Sequence, residues 1–353
     1  MFYKGDKEMI KKIIREKMPE LWKKYKILTS KEKIQGLKSE TDKVFIFLAA
    51  DYPNLGDIAI TYAQKEFLES CFPSREIIEI PADKTLHLIK QVKEVIKPTD
   101  IITIVGGGNM GNIYEYYEDM RRTVIKNFKD NYIISFPQTI DFSDDEYGKK
   151  SLLKTIKTIR KKENILVLAR EEKSYKKMKE YFGEEKVKLF PDIVISLKDK
   201  INVDIKKEDK VALCFRNDKE NDKSKIKLKE KIQKEIEGKN IVRFDTVLDR
   251  KSFDYEKRYE QLNQVIDTIA SCNVIYTDRL HAMIFAYLVG TKCYFIDNTN
   301  KKISETYKKW LYNIEYIKEY NTENKCDNLE NKLNLKNIFD ELEKEITGGV
   351  NNG

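Results

Sequence analysis

The feature that most constrains the fold is an alternation of short apolar runs with longer amphipathic stretches, kept up from residue 44 to residue 296. The first runs are at 44–50, 77–80, 101–105, 132–136, 165–169 and 187–190. They are apolar almost throughout, as strands buried on both faces of a sheet must be. Helical patterns at 57–70, 84–97, 113–128 and 148–162 separate several of them. Parallel neighbours need a crossover and antiparallel ones do not, so this spacing predicts βαβ units and a mostly parallel sheet. Residues 198–210 are polar and charged and read as a linker. A second alternation follows, with apolar runs at 211–215, 241–244, 274–276 and 293–296 and helices at 222–237, 254–271 and 279–289.

The expected fold class is α/β, with two Rossmann-like domains facing a cleft. An N-terminal extension over 1–40 shows helical spacing at Ile10, Ile13, Ile14, Met18 and Leu21. The N-terminal α/β domain spans 41–200 and the C-terminal one 208–320. The tail, 321–353, reads as charged helix with an unstructured end from Thr347.

Bulk composition narrows the function. Hydrophobic residues at 41% and charged residues at 36% fit a globular chain, and no apolar run nears the ~20 residues that span a bilayer. The N-terminus, Met1-Phe2-Tyr3-Lys4, lacks the apolar core of a signal peptide. The five cysteines form no C-x-x-C pair and there are only two histidines, so no metal site is expected and the thiols read as reduced and cytoplasmic. The charge of +8 is a small surplus of 67 basic over 59 acidic residues. Without a recognition motif it argues against a nucleic-acid partner. The Lys-rich helices suit peripheral contact with an anionic surface at the inner face of the cell membrane. A homo-oligomer is compatible with the sequence, and no cofactor is called for.

Ligands of open α/β sheets bind beyond the carboxyl ends of the strands, and the unusual residues gather there. Asn54 and Asp57 follow the first run in a tight turn, and Gly106-Gly107-Gly108-Asn109-Met110-Gly111 follows the third. The glycines let the backbone approach a ligand, or simply serve a sharp strand–helix turn. Their spacing fits neither a dinucleotide fingerprint nor a phosphate-binding P-loop. Pro137-Gln138-Thr139 follows the fourth run, and Arg170 the fifth, with Ser174 one turn on. Arg216 follows the run at 211–215. An arginine directly after a buried strand is costly unless it meets an anion, for which its planar fork is suited. The sharpest segment is Thr277-Asp278-Arg279-Leu280-His281-Ala282, between a short strand and an apolar helix closed by Gly290. Thr277 or Asp278 can cap that helix, putting Arg279 and His281 in its first turn, where free amides favour an anion. The bland alternative is a surface arginine and a satisfied histidine.

Taken in order and spacing, these segments resemble the polysaccharide pyruvyl transferase family. The likeness runs from about Asn54 to Trp310, through Gly106–Gly111 with Tyr114, Pro137–Ile140, Arg170–Tyr175, Pro191-Asp192, Thr277–Ala286, Lys301, Tyr307 and Trp310. One departure is Ala282, where the family often has glycine. The resemblance implies a glycosyltransferase-B-like arrangement with the active site in the cleft. It also implies transfer of a carboxyethylidene group from phosphoenolpyruvate to two sugar hydroxyls of a cell-surface glycan precursor, free or lipid-linked. In that reading His281 is the acid/base. Arg170, Arg279, Arg216 and Leu280 form the donor side, and Asn54, Asp57, Gly107, Gly108, Asn109, Gln138 and Ser174 line the cleft on the acceptor side. The competing readings are a nucleotide-sugar glycosyltransferase of similar shape and a non-catalytic glycan-assembly protein.

Overall fold

Strand β1 (Lys43–Ala49) is buried at all seven positions, which only a central parallel strand covered on both faces can be. The computed structural model describes residues 17–37, 40–201, 204–216, 223–297, 301–320 and 333–351. The helical spacing at Ile10, Ile13 and Ile14 lies outside them, as do Asn217, Asp218, Asn298 and Cys326. Of the extension, helix α1 (Pro19–Thr29) is described. It is tied to the first sheet's layer by Lys23, whose Nζ donates to Asp119 at 2.9 Å.

β1 pairs in parallel with β2 (Glu76–Pro81) and β3 (Ile101–Ile104). The first sheet runs β2-β1-β3-β5-β6-β7, with β5 (Tyr132–Ile140), β6 (Ile165–Ala169) and β7 (Val187–Leu189). Helices α2 (Leu55–Cys71), α3 (Thr85–Val95), α4 (Glu115–Asn127), α5 (Glu146–Lys161) and α6 (Glu172–Phe182) make its connections. The second sheet runs β12-β11-β10-β8-β9, all parallel, from β8 (Glu208–Cys214), β9 (Asn240–Arg243), β10 (Cys272–Thr277), β11 (Lys292–Phe295) and β12 (Ile317–Glu319). Its helices are α7 (Ile226–Glu235), α8 (Arg258–Ser271), α9 (Leu280–Val289) and the short α10 (Lys302–Thr306). The fold is thus α/β with parallel sheets.

Several elements depart from expectation. The glycine segment is not a turn but a strand, β4 (Gly107–Met110), paired with β5 at Gly107–Gln138 and Met110–Ile140. β5 accordingly runs on through Pro137-Gln138-Thr139 instead of ending before them. Proline is tolerated because the β5–β6 register shifts between Ser135 and Gln138. Glycine is required at 106, where an added Cβ would lie 2.9 Å from the Pro137 carbonyl oxygen. Helix α6 and strand β12 go beyond the expected elements: α6 buries Ser174, Met178 and Phe182 on one face at helical spacing, whereas β12 has only three residues. The tail is a correction too: α11 (Leu335–Asn351) stays helical through Thr347-Gly348-Gly349. It crosses back to the first sheet, with the Phe339 and Phe67 rings 6.1 Å apart. Gly349 leaves room for Tyr132, whose hydroxyl an added Cβ would meet at 2.4 Å.

The two sheets meet where their strands end. Asn54 and Val247 form an antiparallel bridge, flanked by Leu55 N–H donating to Thr246 at 2.7 Å and Leu248 N–H to Pro53 at 2.8 Å. The indole of Trp310 donates to the Arg170 carbonyl at 2.8 Å. Apolar helix α9 buries Ala282 to Leu288, as an all-apolar helix must. Near the bridge, Leu48 holds a positive φ of 63° at the irregularity in β1–β2 pairing. A leucine in that region costs on the order of 1–3 kcal/mol.

Candidate active site

His281 is set by two helix starts. Thr277 Oγ1 accepts from the Arg279 amide at 3.0 Å and donates to the Cys214 carbonyl at 2.7 Å, tying the start of α9 to β8. Neither Thr277 nor Asp278 is the N-cap expected from the sequence: Arg279 holds that place with no side-chain cap bond, and Asp278 accepts from the Arg216 amide at 2.7 Å and from Lys229 Nζ at 2.6 Å. Gly290 closes α9 in the left-handed region, φ 69° and ψ 28°, as a glycine there should. The imidazole lies against the first turn of α2, whose cap Asn54 accepts from the Gly56 amide at 3.1 Å. A Cβ on Gly56 would stand 2.3 Å from His281 Nδ1. Gly56 therefore admits the ring, a role its place in the sequence does not reveal. Gly56→Ala is expected to displace the imidazole and cut kcat at least tenfold with little loss of melting temperature. An unchanged kcat would show that the ring has no fixed seat.

Two carboxylates flank the imidazole and are driven apart. Asp192 Oδ2 lies 3.6 Å from His281 Nε2, an ion-pair distance. That buried nitrogen has no hydrogen-bond partner among the described residues. The same Oδ2 accepts from Arg170 Nη1 at 2.8 Å, and Oδ1 from the Val194 amide at 3.1 Å. Burial raises the Asp192 carboxyl, but His281, Arg170 and the Val194 amide outweigh it and hold the group well below the usual carboxylate range. Asp57 moves the other way. Burial lifts it above its ordinary value, and His281, Tyr52 and Arg170 only partly offset this. Its Oδ2 accepts from the Tyr52 hydroxyl at 3.1 Å and from Asn54 Nδ2 at 2.7 Å. Neighbouring groups with opposed shifts are the usual mark of an acid–base pair.

Around this corner is a cavity of about 500 Å³ formed by residues from both sheets. It is lined by His281, Leu280, Arg170, Arg216, Arg279, Asn54, Asp57, Gly108 and Asn109. The structure thus brings together the residues assigned to the donor side with four of those assigned to the acceptor side. Arg279 Nη2 donates to Asp245 at 2.7 Å, an ion pair that ties the start of α9 to the loop after β9. Arg170 is held by Thr139 Oγ1 as well as Asp192, which leaves Nη2 on the side of Gly108. A Cβ at Gly108 would lie 3.2 Å from that Nη2 and 3.6 Å from Lys302 Nζ. Asn109 gives its Oδ1 to the fully buried Arg121, which leaves the amide nitrogen as its donor for a ligand.

Gly107, Gln138 and Ser174 are corrected: none of them lines the cavity. Gly107 takes a φ of 122° in β4 behind it. Gln138, fully buried, donates to the Val105 carbonyl and braces the break between β3 and β4. Ser174 accepts from the Ile140 amide at 3.0 Å and donates to Glu171, whose other oxygen accepts from Thr139. It therefore steadies Arg170 at one remove. Sequence reasoning missed Lys302, Tyr52, Tyr117 and Arg250 on the wall. Asp192, quoted with Pro191 in the family likeness, has no role assigned from the sequence and stands behind the imidazole.

Comparison with known proteins agrees with the geometry. The model of the family described as polysaccharide pyruvyl transferase matches residues 54–300. General stress protein 30 of Bacillus subtilis is 36% identical over 300 residues, covering 85% of this chain and 86% of that one. Pyruvyl transferase 1 of Schizosaccharomyces pombe is 27% identical over 290 residues, covering 76% and 70%. A functionally uncharacterised protein of Klebsiella pneumoniae shares the fold, with a TM-score of 0.54 at 21% identity over 84% of this chain and 95% of that one. With a matched segment that spans His281, both arginines and the glycine strand, the chain belongs to the polysaccharide pyruvyl transferase family.

Proposed function

We infer that this chain is a phosphoenolpyruvate-dependent ketal pyruvyltransferase acting on a glycan precursor, with its two sheets as the halves of a glycosyltransferase-B-like arrangement. The observation that carries this reading is the grouping of Arg170, Arg279 and His281 on one cavity wall, with Asp192 behind the imidazole. Phosphoenolpyruvate is small and multiply charged, and guanidinium forks with two helix N-termini suit its carboxylate and phosphate.

His281 gives a proton to C3 of the enol. A sugar hydroxyl oxygen bonds to C2 and its proton passes to a base, the role we assign to Asp57, which lines the same cavity. The C2–O–P link then breaks and phosphate leaves. A second hydroxyl bonds to C2 and closes the ketal. Of the two hydroxyl protons, one replaces the proton spent on C3 and one leaves with phosphate. The arginines and helix amides balance charge as it moves from enol oxygen to phosphate.

A thermal-shift comparison tests the donor. Ligand at 100 times its Kd stabilises the fold by about 2.7 kcal/mol. Phosphoenolpyruvate is expected to raise the melting temperature, and UDP and GDP to leave it unchanged. A nucleotide that stabilises while phosphoenolpyruvate does not would move the chain to nucleotide-sugar chemistry.

A further inference from the structure

The arginines explain where a donor anion sits but not what the remainder of the cavity holds. Its wall also includes Tyr52, Tyr114 and Tyr117, with Val247 and Leu248 contributed from beyond β9. The tyrosines form one cluster. Tyr117 is the hub, its ring 5.4 Å from Tyr52, 6.5 Å from Tyr114 and 5.5 Å from Tyr116. The cluster continues from the cavity onto the surface: Tyr114 is 43% exposed and Tyr116 51%. The neighbouring Ile113 is 66% exposed. Contiguous exposed rings opening into a cavity are more than scattered surface apolar residues, and such patches mark ligand surfaces. At its inner edge the cluster joins the reacting corner, because Tyr52 donates to the Asp57 carboxylate. Near the tyrosines stands Asp51, whose carboxyl burial and the adjacent Asp83 push up to about 7. The tyrosines therefore offer flat π-faces and hydroxyls, with the Asp51 carboxyl close by and Arg250 among the other lining residues.

That chemistry fits a hexopyranose. One face of such a ring presents axial C–H bonds, which carry partial positive charge and pack on the negative face of an aromatic ring. Its rim presents hydroxyls to the carboxyls and phenols. We propose that Tyr114, Tyr116 and Tyr117 form an acceptor subsite that stacks at least two consecutive pyranose rings, the inner one delivering its hydroxyls to Asp57 and His281 and the outer one resting on Tyr116 at the surface. The acceptor is thereby an oligosaccharide rather than a free monosaccharide. The role of acceptor rests on the pyruvyltransferase reading; the stacking itself does not.

Saturation-transfer NMR tests it with a fixed panel: methyl glucopyranoside, methyl galactopyranoside and methyl N-acetylglucosaminide, each with its β-1,4-linked disaccharide. The wild type is expected to transfer saturation to the axial C–H protons of at least one disaccharide, more strongly than to the matching monosaccharide. Tyr114→Ala and Tyr117→Ala should each weaken that binding at least fivefold, and Tyr117→Phe should retain it. Tyr114 is exposed enough for its alanine variant to keep the fold, which circular dichroism checks. Stabilisation by phosphoenolpyruvate is read in parallel and should not change. Undiminished glycoside binding in both alanine variants overturns the subsite, as does a wild type that binds no panel member. Tyrosine-dependent glycoside binding without phosphoenolpyruvate stabilisation would leave the subsite standing and remove the donor instead.

Discussion

Replacing His281 by alanine is expected to lower kcat by about 10²–10⁴-fold, the usual worth of a positioned acid–base group. Phosphoenolpyruvate should still stabilise the variant. The two effects separate because different groups carry them. Arg170 and Arg279 keep their carboxylate partners whether or not the imidazole is present. The proton for C3, in contrast, is assigned to His281, whose ring is seated on Gly56 and flanked by Asp192. Phosphate release from phosphoenolpyruvate with an active acceptor measures kcat, and thermal shift measures donor binding. A variant within threefold of wild-type turnover would remove His281 from the chemistry.

Asp192→Asn is expected to damage stability and turnover together. Asp192 is 1% exposed and its Oδ2 serves both Arg170 and His281. An amide of the same shape cancels the charge. If its nitrogen faces Arg170, it also sets donor against donor. Breaking a buried pair by removing one charge costs roughly 3–5 kcal/mol, so urea denaturation should show a loss on the order of 3 kcal/mol. The imidazole loses the group that orients it, and kcat should fall about 10²-fold or more, by analogy with triad carboxylates. The pH dependence follows from the direction of the shift. Asp192 is depressed in the folded state, so its stabilisation is fully present above the unfolded carboxyl value of about 3.9 and is lost only as pH falls through the still lower folded value. The stability gap between wild type and Asp192→Asn should accordingly be constant from pH 5 to 8 and shrink only below about pH 4. A gap that closes near neutral pH would contradict the assigned ionisation.

How much of this was legible in the sequence depends on whether the signal is local. The parallel strands were, because burial on both faces writes a continuous apolar run, as in β1 and β6. Arg170 and Arg279 were, because a charge beside a buried strand is visible without a partner. The glycine segment misled because close backbone approach and a tight turn call for the same residue. Only the pairing of Gly107 with Gln138 distinguishes a strand from a turn. Gln138 and Ser174 misled for a related reason: a polar residue at a strand end can face a ligand or brace its neighbours, and its type is the same in both cases.

The sequence by itself determined the class of fold, the edge on which ligands collect, and the titratable and cationic residues available there, since periodicity and charge act over a few residues. Only the tertiary structure decided what those residues do. Gly56 seating His281, Asp192 joining it to Arg170, Asp245 holding Arg279 and the tyrosines meeting over the cavity each join segments far apart in the chain. Such contacts exist only once buried apolar surface has packed α2 against α8 and brought the ends of the two sheets together, and no pattern along the chain encodes which distant groups that packing brings within a few ångströms.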